Sequence, residues 1–172
     1  PNILGEHQLY NISTSVAAAR KIFKVKDKDI KKGIQNIELK GRLQEIKNGK
    51  LKDFAGKNKL VIDGGHNISA SLSIANWIKD QNQEVNIICG MLKDKDHFEF
   101  IKSFEGIVNS VTLISIPNQE GTITKEEFKS KIENLNLKLK LSNSIEESIK
   151  SLSKNEGGII LCVGSLYLVG EI

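Results

Sequence analysis

The chain has 172 residues, 39% of them hydrophobic and 27% charged, enough for one ordinary domain with its own core and a short appendage. No apolar run approaches the roughly 18–20 residues that a membrane helix needs, so no membrane partner is expected. The net charge of +4 comes mostly from dispersed lysines and aromatics are only 5%, which argues against a nucleic-acid-binding face and leaves a mild positive field suited to an anionic ligand. No signal peptide is read ahead of the first amphipathic stretch. Pro1 opens the chain and Met91 is its only methionine, which fits a portion excised from a longer protein. The two cysteines, Cys89 and Cys162, close the apolar runs NIIC and IILC, as small buried thiols do. They show no CxxC or Cys/His spacing, so a reduced, cytoplasmic protein is expected.

In chain order, Leu9, Ile12, Val16 and Ala19 recur at helical spacing and predict a helix over 5–23. A shorter helix is predicted over 27–34, ending near Gly33. This pair has an apolar face but too little material to bury it, and it reads as the tail of something larger. From Gly41 the pattern changes. Short apolar runs predict strands at 42–46, 59–62, 85–89, 111–114, 137–141 and 158–163. Amphipathic segments predict helices at 68–79, 98–104, 125–134, 145–152 and 166–172. Thr124 with Glu127, and Ser144 with Glu147, have the spacing of capping boxes. Asn48-Gly49 reads as the turn of a hairpin-like segment over 41–54 that pairs antiparallel at the sheet edge. The expected fold is therefore α/β: a mainly parallel sheet of about six strands, one edge strand antiparallel, flanked by helices.

In such sheets ligands bind outside the carboxyl ends of the strands, and the informative segments follow strands. In Asp63-Gly64-Gly65-His66-Asn67, the carboxylate can accept from ribose hydroxyls, His66 can face a phosphate, and Asn67 can cap the next helix. The same residues also suit an ordinary turn. Arg42 can clamp an anion with its planar fork, or be a surface residue of an edge strand. Lys93-Asp94-Lys95-Asp96 can neutralise phosphate and cap a helix, or be a solvated charge run. His7 and Asn11 share a helix face, with Gln8 beside them, and can meet a base or another domain. Gly164-Ser165 offers backbone N–H groups to an anion, or a plain helix cap. His97 reads as a lone histidine in a charged loop and receives no role. There is no P-loop, no GxGxxG, no GxSxG elbow and no complete metal-ligand cluster. Ligand contacts are present without a self-sufficient catalytic centre.

Taken in order, GEHQLYN at 5–11, GRLQ at 41–44, IDGGHN at 62–67, GMLKDKD at 90–96, Pro117 and GSLYLVGE at 164–171 resemble folylpolyglutamate synthase, including its bifunctional dihydrofolate synthase form, in the Mur ligase superfamily. The family's usual DGAHN appears here with Gly65 in place of alanine. The resemblance implies a Rossmann-like carboxy-terminal Mur ligase domain over 41–172. Residues 1–40 would be the terminal helices and linker of an amino-terminal ATPase domain that carries the P-loop, the Mg²⁺ ligands and the folate site.

It also implies partners and roles. ATP, L-glutamate and folate are the expected ligands, the ATPase domain the expected partner, and a monomer the expected state. Asn11 would lie near adenine, Arg42 at the phosphates and Asp63 at the ribose. His66 would stand near the reacting phosphate as the catalytic candidate, and Lys93, Asp94 and Ser165 where glutamate binds. The implied reaction is ATP-dependent addition of glutamate to folate through an acyl phosphate, with the fragment inactive alone. The resemblance does not separate tetrahydrofolate polyglutamylation from conversion of dihydropteroate to dihydrofolate. A different Mur-type amino-acid ligase, or a stand-alone nucleotide-binding module, are the alternatives.

Overall fold

The computed structural model describes residues 6–37, 39–154 and 156–172, without the side chains of Glu6 and His7. Gly5, at the start of the expected first helix, lies outside the described residues. The amino-terminal pair is helical as expected, with α1 spanning Glu6–Ile22 and α2 spanning Asp27–Gln35. No residue of α2 is buried. Ile12, Val16, Ala19, Ile30 and Ile34 instead line an apolar groove of about 560 Å³ between the two helices.

The rest of the chain alternates strands and helices. The strands are β1 (Gln44–Ile46), β2 (Lys59–Asp63), β3 (Val85–Cys89), β4 (Ser110–Leu113), β5 (Leu139–Leu141) and β6 (Ile159–Val163). The helices are α3 (Lys50–Ala55), α4 (Ile68–Lys79), α5 (His97–Lys102), α6 (Lys125–Ile132), α7 (Ile145–Leu152) and α8 (Leu166–Gly170). The six strands form one sheet in the order β1-β2-β6-β3-β4-β5. Only the β1–β2 pairing is antiparallel; the other pairings are parallel. Every residue of β3 and β6 is buried, as expected of central parallel strands covered on both faces.

Side chains alternate across this sheet into two cores. Val61, Ile87, Leu161, Ile74, Phe100 and Phe128 pack on one face. Leu60, Ile62, Ile88, Cys162, Ile149 and Leu168 pack on the other. Cys89 and Cys162 belong to different cores and both are free thiols. Burial pushes the Cys162 thiol up to about 12 and the Cys89 thiol higher still.

Two sequence readings are corrected. The segment around Asn48-Gly49 is not a hairpin: β1 pairs with β2, and residues after Gly49 (φ 103°) form α3. Leu51, Phe54 and Ala55 have helical rather than strand spacing, and they pack into the core shared with α7. Lys150 Nζ of α7 stands 4.1 Å from the centre of the Phe54 ring, and Lys50 reaches Glu146 at 3.2 Å. His97 is not a charged-loop residue. It opens α5, is 3% exposed, meets Phe128 edge to face at 5.0 Å, and its Nε2 lies 3.0 Å from the Leu92 carbonyl.

The helix starts follow cap chemistry. Thr124 Oγ accepts from Glu127 N–H at 3.2 Å and Ser144 Oγ from Glu147 N–H at 3.0 Å. The Glu147 carboxylate reaches back to Asn143 N–H at 2.9 Å, one residue beyond the usual reciprocal bond. Among the described residues no helix is long and apolar enough to cross a membrane.

Candidate functional site

The register aligns the carboxyl ends of three adjacent strands. Asp63 of β2 and Cys89 of β3 both pair with Val163 of β6. The turns at 64–67, 90–96 and 164–165 therefore leave the sheet side by side, where open α/β sheets bind ligands. Gly164 makes this close approach possible. It has φ 109°, and a Cβ there would stand 2.6 Å from the Gly90 carbonyl oxygen. Its N–H donates to Gly65 O at 3.0 Å.

Asp63 is 5% exposed and its carboxylate serves two backbone segments. Oδ1 accepts from Gly65 N–H at 2.7 Å, and Oδ2 from Leu43 N–H at 2.9 Å. Gly64 N–H in turn donates to Gly41 O at 2.8 Å. A methyl group on Gly65 would stand 2.8 Å from Ala70 Cβ and 2.9 Å from Asp63 Oδ1, so alanine there requires the turn to shift.

Arg42 lies between two residues in the left-handed region, Gly41 (φ 67°) and Leu43 (φ 42°). That conformation delays β1 until Gln44, two residues later than the expected strand start. The side chain of Gln44 closes the loop by accepting from Gly41 N–H at 2.8 Å. The Arg42 guanidinium is half-buried, donates from Nη1 to Gly41 O at 3.1 Å, and pairs with no carboxylate among the described residues.

These elements enclose a cavity of about 210 Å³ lined by Gln8, Asn11, Arg42, Asp63, His66 and the first turn of α4. Asn67 caps that helix by accepting from Ala70 N–H at 2.9 Å. His66 Nδ1 lies 3.0 Å from Gly64 O. A carbonyl only accepts, so Nδ1 carries the proton and Nε2 is the acceptor of the neutral ring. Asn11 Nδ2 donates to Gln8 Oε1 at 3.1 Å. The side chain of His7 lies outside the described residues. The Arg42 guanidinium, without a carboxylate partner among the described residues, and a helix N-terminus border one small cavity, an arrangement suited to an anionic group.

The structure thus brings Asn11, Arg42, Asp63 and His66 around one cavity and leaves Lys93, Asp94 and Ser165 outside its lining. Ser165 is 5% exposed and caps α8, accepting from Tyr167 N–H at 3.1 Å. Lys93 is exposed, and its N–H donates to Gly121 O at 2.9 Å. Asp94 is ion-paired with Lys95 at 2.8 Å. The hydrogen bond from Lys95 holds the Asp94 carboxyl below the usual carboxylate range, and the nearby charge of Lys95 adds to this. Ser69 and Ser73 also line the cavity, though sequence reading passed over them. Their signal was two hydroxyls four residues apart, on one face of α4.

Residues 47–172 match the family model for the dihydrofolate synthetase C-terminal domain. The chain belongs to that family. It is 30% identical over 183 residues to the dihydrofolate synthase/folylpolyglutamate synthase of Haemophilus influenzae, an alignment that covers 95% of this chain and 41% of that protein. The same fold occurs in the Mycobacterium tuberculosis folylpolyglutamate synthase complexed with ADP and AMPPCP, at TM-score 0.82 and 16% identity over 98% of this chain and 39% of that one. It occurs again in a bifunctional folylpolyglutamate synthase/dihydrofolate synthase from Yersinia pestis with Mn, AMPPNP and L-glutamate bound, at TM-score 0.78 and 18% identity over 99% of this chain and 39% of that one. The chain therefore spans about two fifths of the length of the relatives it matches. Its cavity, at the carboxyl ends of β2 and its neighbours, is drawn from both sides of residue 47, where the family match begins.

Proposed function

We propose that this chain is the carboxy-terminal portion of an ATP-dependent ligase that adds L-glutamate to folate, and that it supplies the closing half of the nucleotide site. The observation that carries this reading is the half-buried Arg42, without a carboxylate partner among the described residues, in one cavity with the start of α4. Such a cavity complements a polyphosphate, and the Asn11 and Gln8 amides give it hydrogen-bonding groups for a base. Family membership, together with the nucleotides and glutamate named for the solved relatives, supports the substrate assignment.

In this reading residues 1–40 complete a preceding ATPase domain, and residues 41–172 form the closing domain. The exposed Leu9, Tyr10, Ile22 and Phe23 support a partner surface there. Among the described residues no cluster of three or more His, Cys, Asp or Glu side chains is placed to hold a metal. We place the Mg²⁺ ligands in the preceding domain, where the ion would neutralise phosphate charge. Free thiols fit a cytoplasmic protein. A monomer is the proposed state.

The ligase reaction would activate the folate carboxylate as an acyl phosphate, with ADP leaving. Attack by the glutamate amine would then form the amide and release phosphate. Arg42 would hold the phosphates as charge moves onto the leaving oxygen. His66 would stand beside the reacting phosphate. Lys93, exposed and without an ion-pair partner among the described residues, would offer its ammonium to a glutamate carboxylate, with Asp94 beside it and Ser165 in the turn that follows β6.

In the complete ligase, Arg42→Ala should lower ATP-dependent glutamate addition by about a hundredfold or more. The 172-residue chain alone should bind ATP weakly in calorimetry. Tight nucleotide binding by this chain alone, with an Arg42→Ala ligase of unchanged rate, would replace this reading by a stand-alone nucleotide-binding module.

A further inference from the structure

We propose that Asp63 acts as a positioning residue for Arg42 by clasping the 41–43 loop to the 63–65 turn. The inference rests on the nucleotide-site reading above and assigns Asp63 a role distinct from contact with the ribose. Three features carry it. The first is rigidity: Asp63 ends β2, buried and in register with β6, so its carboxylate is held by the sheet rather than by a loop. The second is occupancy. One carboxylate oxygen accepts from Leu43 N–H and the other from Gly65 N–H, so each oxygen holds a backbone amide, twenty and two residues away.

The third feature is what the clasp holds. Leu43 carries φ 42°, a conformation that a side chain with a Cβ adopts only when its surroundings enforce it. Its amide is the one held by Asp63 Oδ2, and its side chain is buried at 3% exposure. On the other side of Arg42, Gly41 is clasped through its N–H by Gln44 and through its carbonyl by Gly64 N–H. The same carbonyl receives Arg42 Nη1. The arginine head is therefore fixed to a loop whose two ends are tied to the sheet, one end by Asp63 and the other by the 64 turn and Gln44. A loop closed in this way presents a fork preorganised for phosphate instead of a flexible chain.

The test has two arms. In the 172-residue chain, amide exchange by NMR in Asp63→Asn and Asp63→Ala should show the Leu43 N–H exchanging about tenfold faster or more, with the sheet amides of β3 unchanged. Unchanged protection of Leu43 would overturn the proposal. In the complete ligase, Asp63→Asn should lower kcat/KM for ATP by about ten- to a hundredfold, equally for 2′-deoxy- and 3′-deoxy-ATP, and should add nothing to Arg42→Ala.

A ribose ligand gives the opposite pattern: the defect disappears with the deoxy analogue and adds to that of Arg42→Ala. Gln44→Ala, at the half-exposed edge strand, removes the other clasp without altering Asp63. It should reproduce the same pattern more weakly, even if the Asp63 variants fold poorly. If Arg42→Ala leaves ATP kinetics unchanged, the nucleotide reading fails, while the Leu43 exchange rate still decides whether Asp63 holds the loop.

Discussion

Residues 6–37 and the α/β body meet the same requirement, burial of an apolar face, with opposite results. In the body, each central strand sends alternate side chains into two cores, and Phe100, Phe104, Phe128, Ile87 and Ile88 are wholly removed from solvent. In the amino-terminal pair, α1 and α2 are well-formed helices, yet the groove between them stays open and Tyr10 and Phe23 remain 70% and 65% exposed. Helical periodicity sets the shape of an element, but a second layer is needed to stabilise it. The body has that layer on both sides of its sheet; among the described residues the pair has none on its outer face.

This contrast is open to direct test by urea denaturation of the 172-residue chain. The largest effect is expected from Phe100→Ala, which empties a site packed edge to face against Phe104 at 5.5 Å and should cost about 3–5 kcal/mol. Gly164→Ala should follow at about 3 kcal/mol, because it combines left-handed strain with a contact to the Gly90 carbonyl.

Next comes pH. The thiol of Cys162 is raised from 9.0 to about 12 by burial, so its contribution is fully present below pH 9.0 and is lost as pH rises towards 12. The unfolding midpoint should fall across that window, less steeply in Cys162→Ala, and both thiols should resist an aromatic disulfide reagent until the body unfolds. The smallest effect belongs to the pair. Val16→Ala, in the open groove, should cost about 0.5 kcal/mol or less. A loss there as large as that of Phe100→Ala would erase the distinction between the two regions.

How much of this was legible in the sequence varies with the range of the interaction. β3 coincides with the expected 85–89 because Val85-Asn86-Ile87-Ile88-Cys89 is a nearly continuous apolar run flanked by breakers. The caps at Thr124 and Ser144 were readable because both partners lie within one turn. The helix α3 was not, because a strong Asn-Gly turn signal outweighed a short helical spacing whose worth depends on α7, about ninety residues downstream. His97 was misplaced because its neighbours in sequence are charged, whereas its neighbours in space are Leu92 and Phe128. At the site, Asn11, Arg42, Asp63 and His66 could be singled out by residue type. Their joint cavity could not, since the link from Asp63 to Leu43 depends on a positive φ that no propensity favours for leucine.

The position of β6 has a consequence for how the chain is made. The strand synthesised last among the six is hydrogen-bonded between β2 and β3. Until it emerges from the ribosome, β2 has β1 on one side and nothing on the other, and β3 likewise lacks a neighbour opposite β4. Two buried-type strand edges must therefore wait, unpaired, for β6 to arrive. The body cannot assemble in sequence order, so its sheet closes in a late step that joins a β1–β2 half to a β3–β4–β5 half.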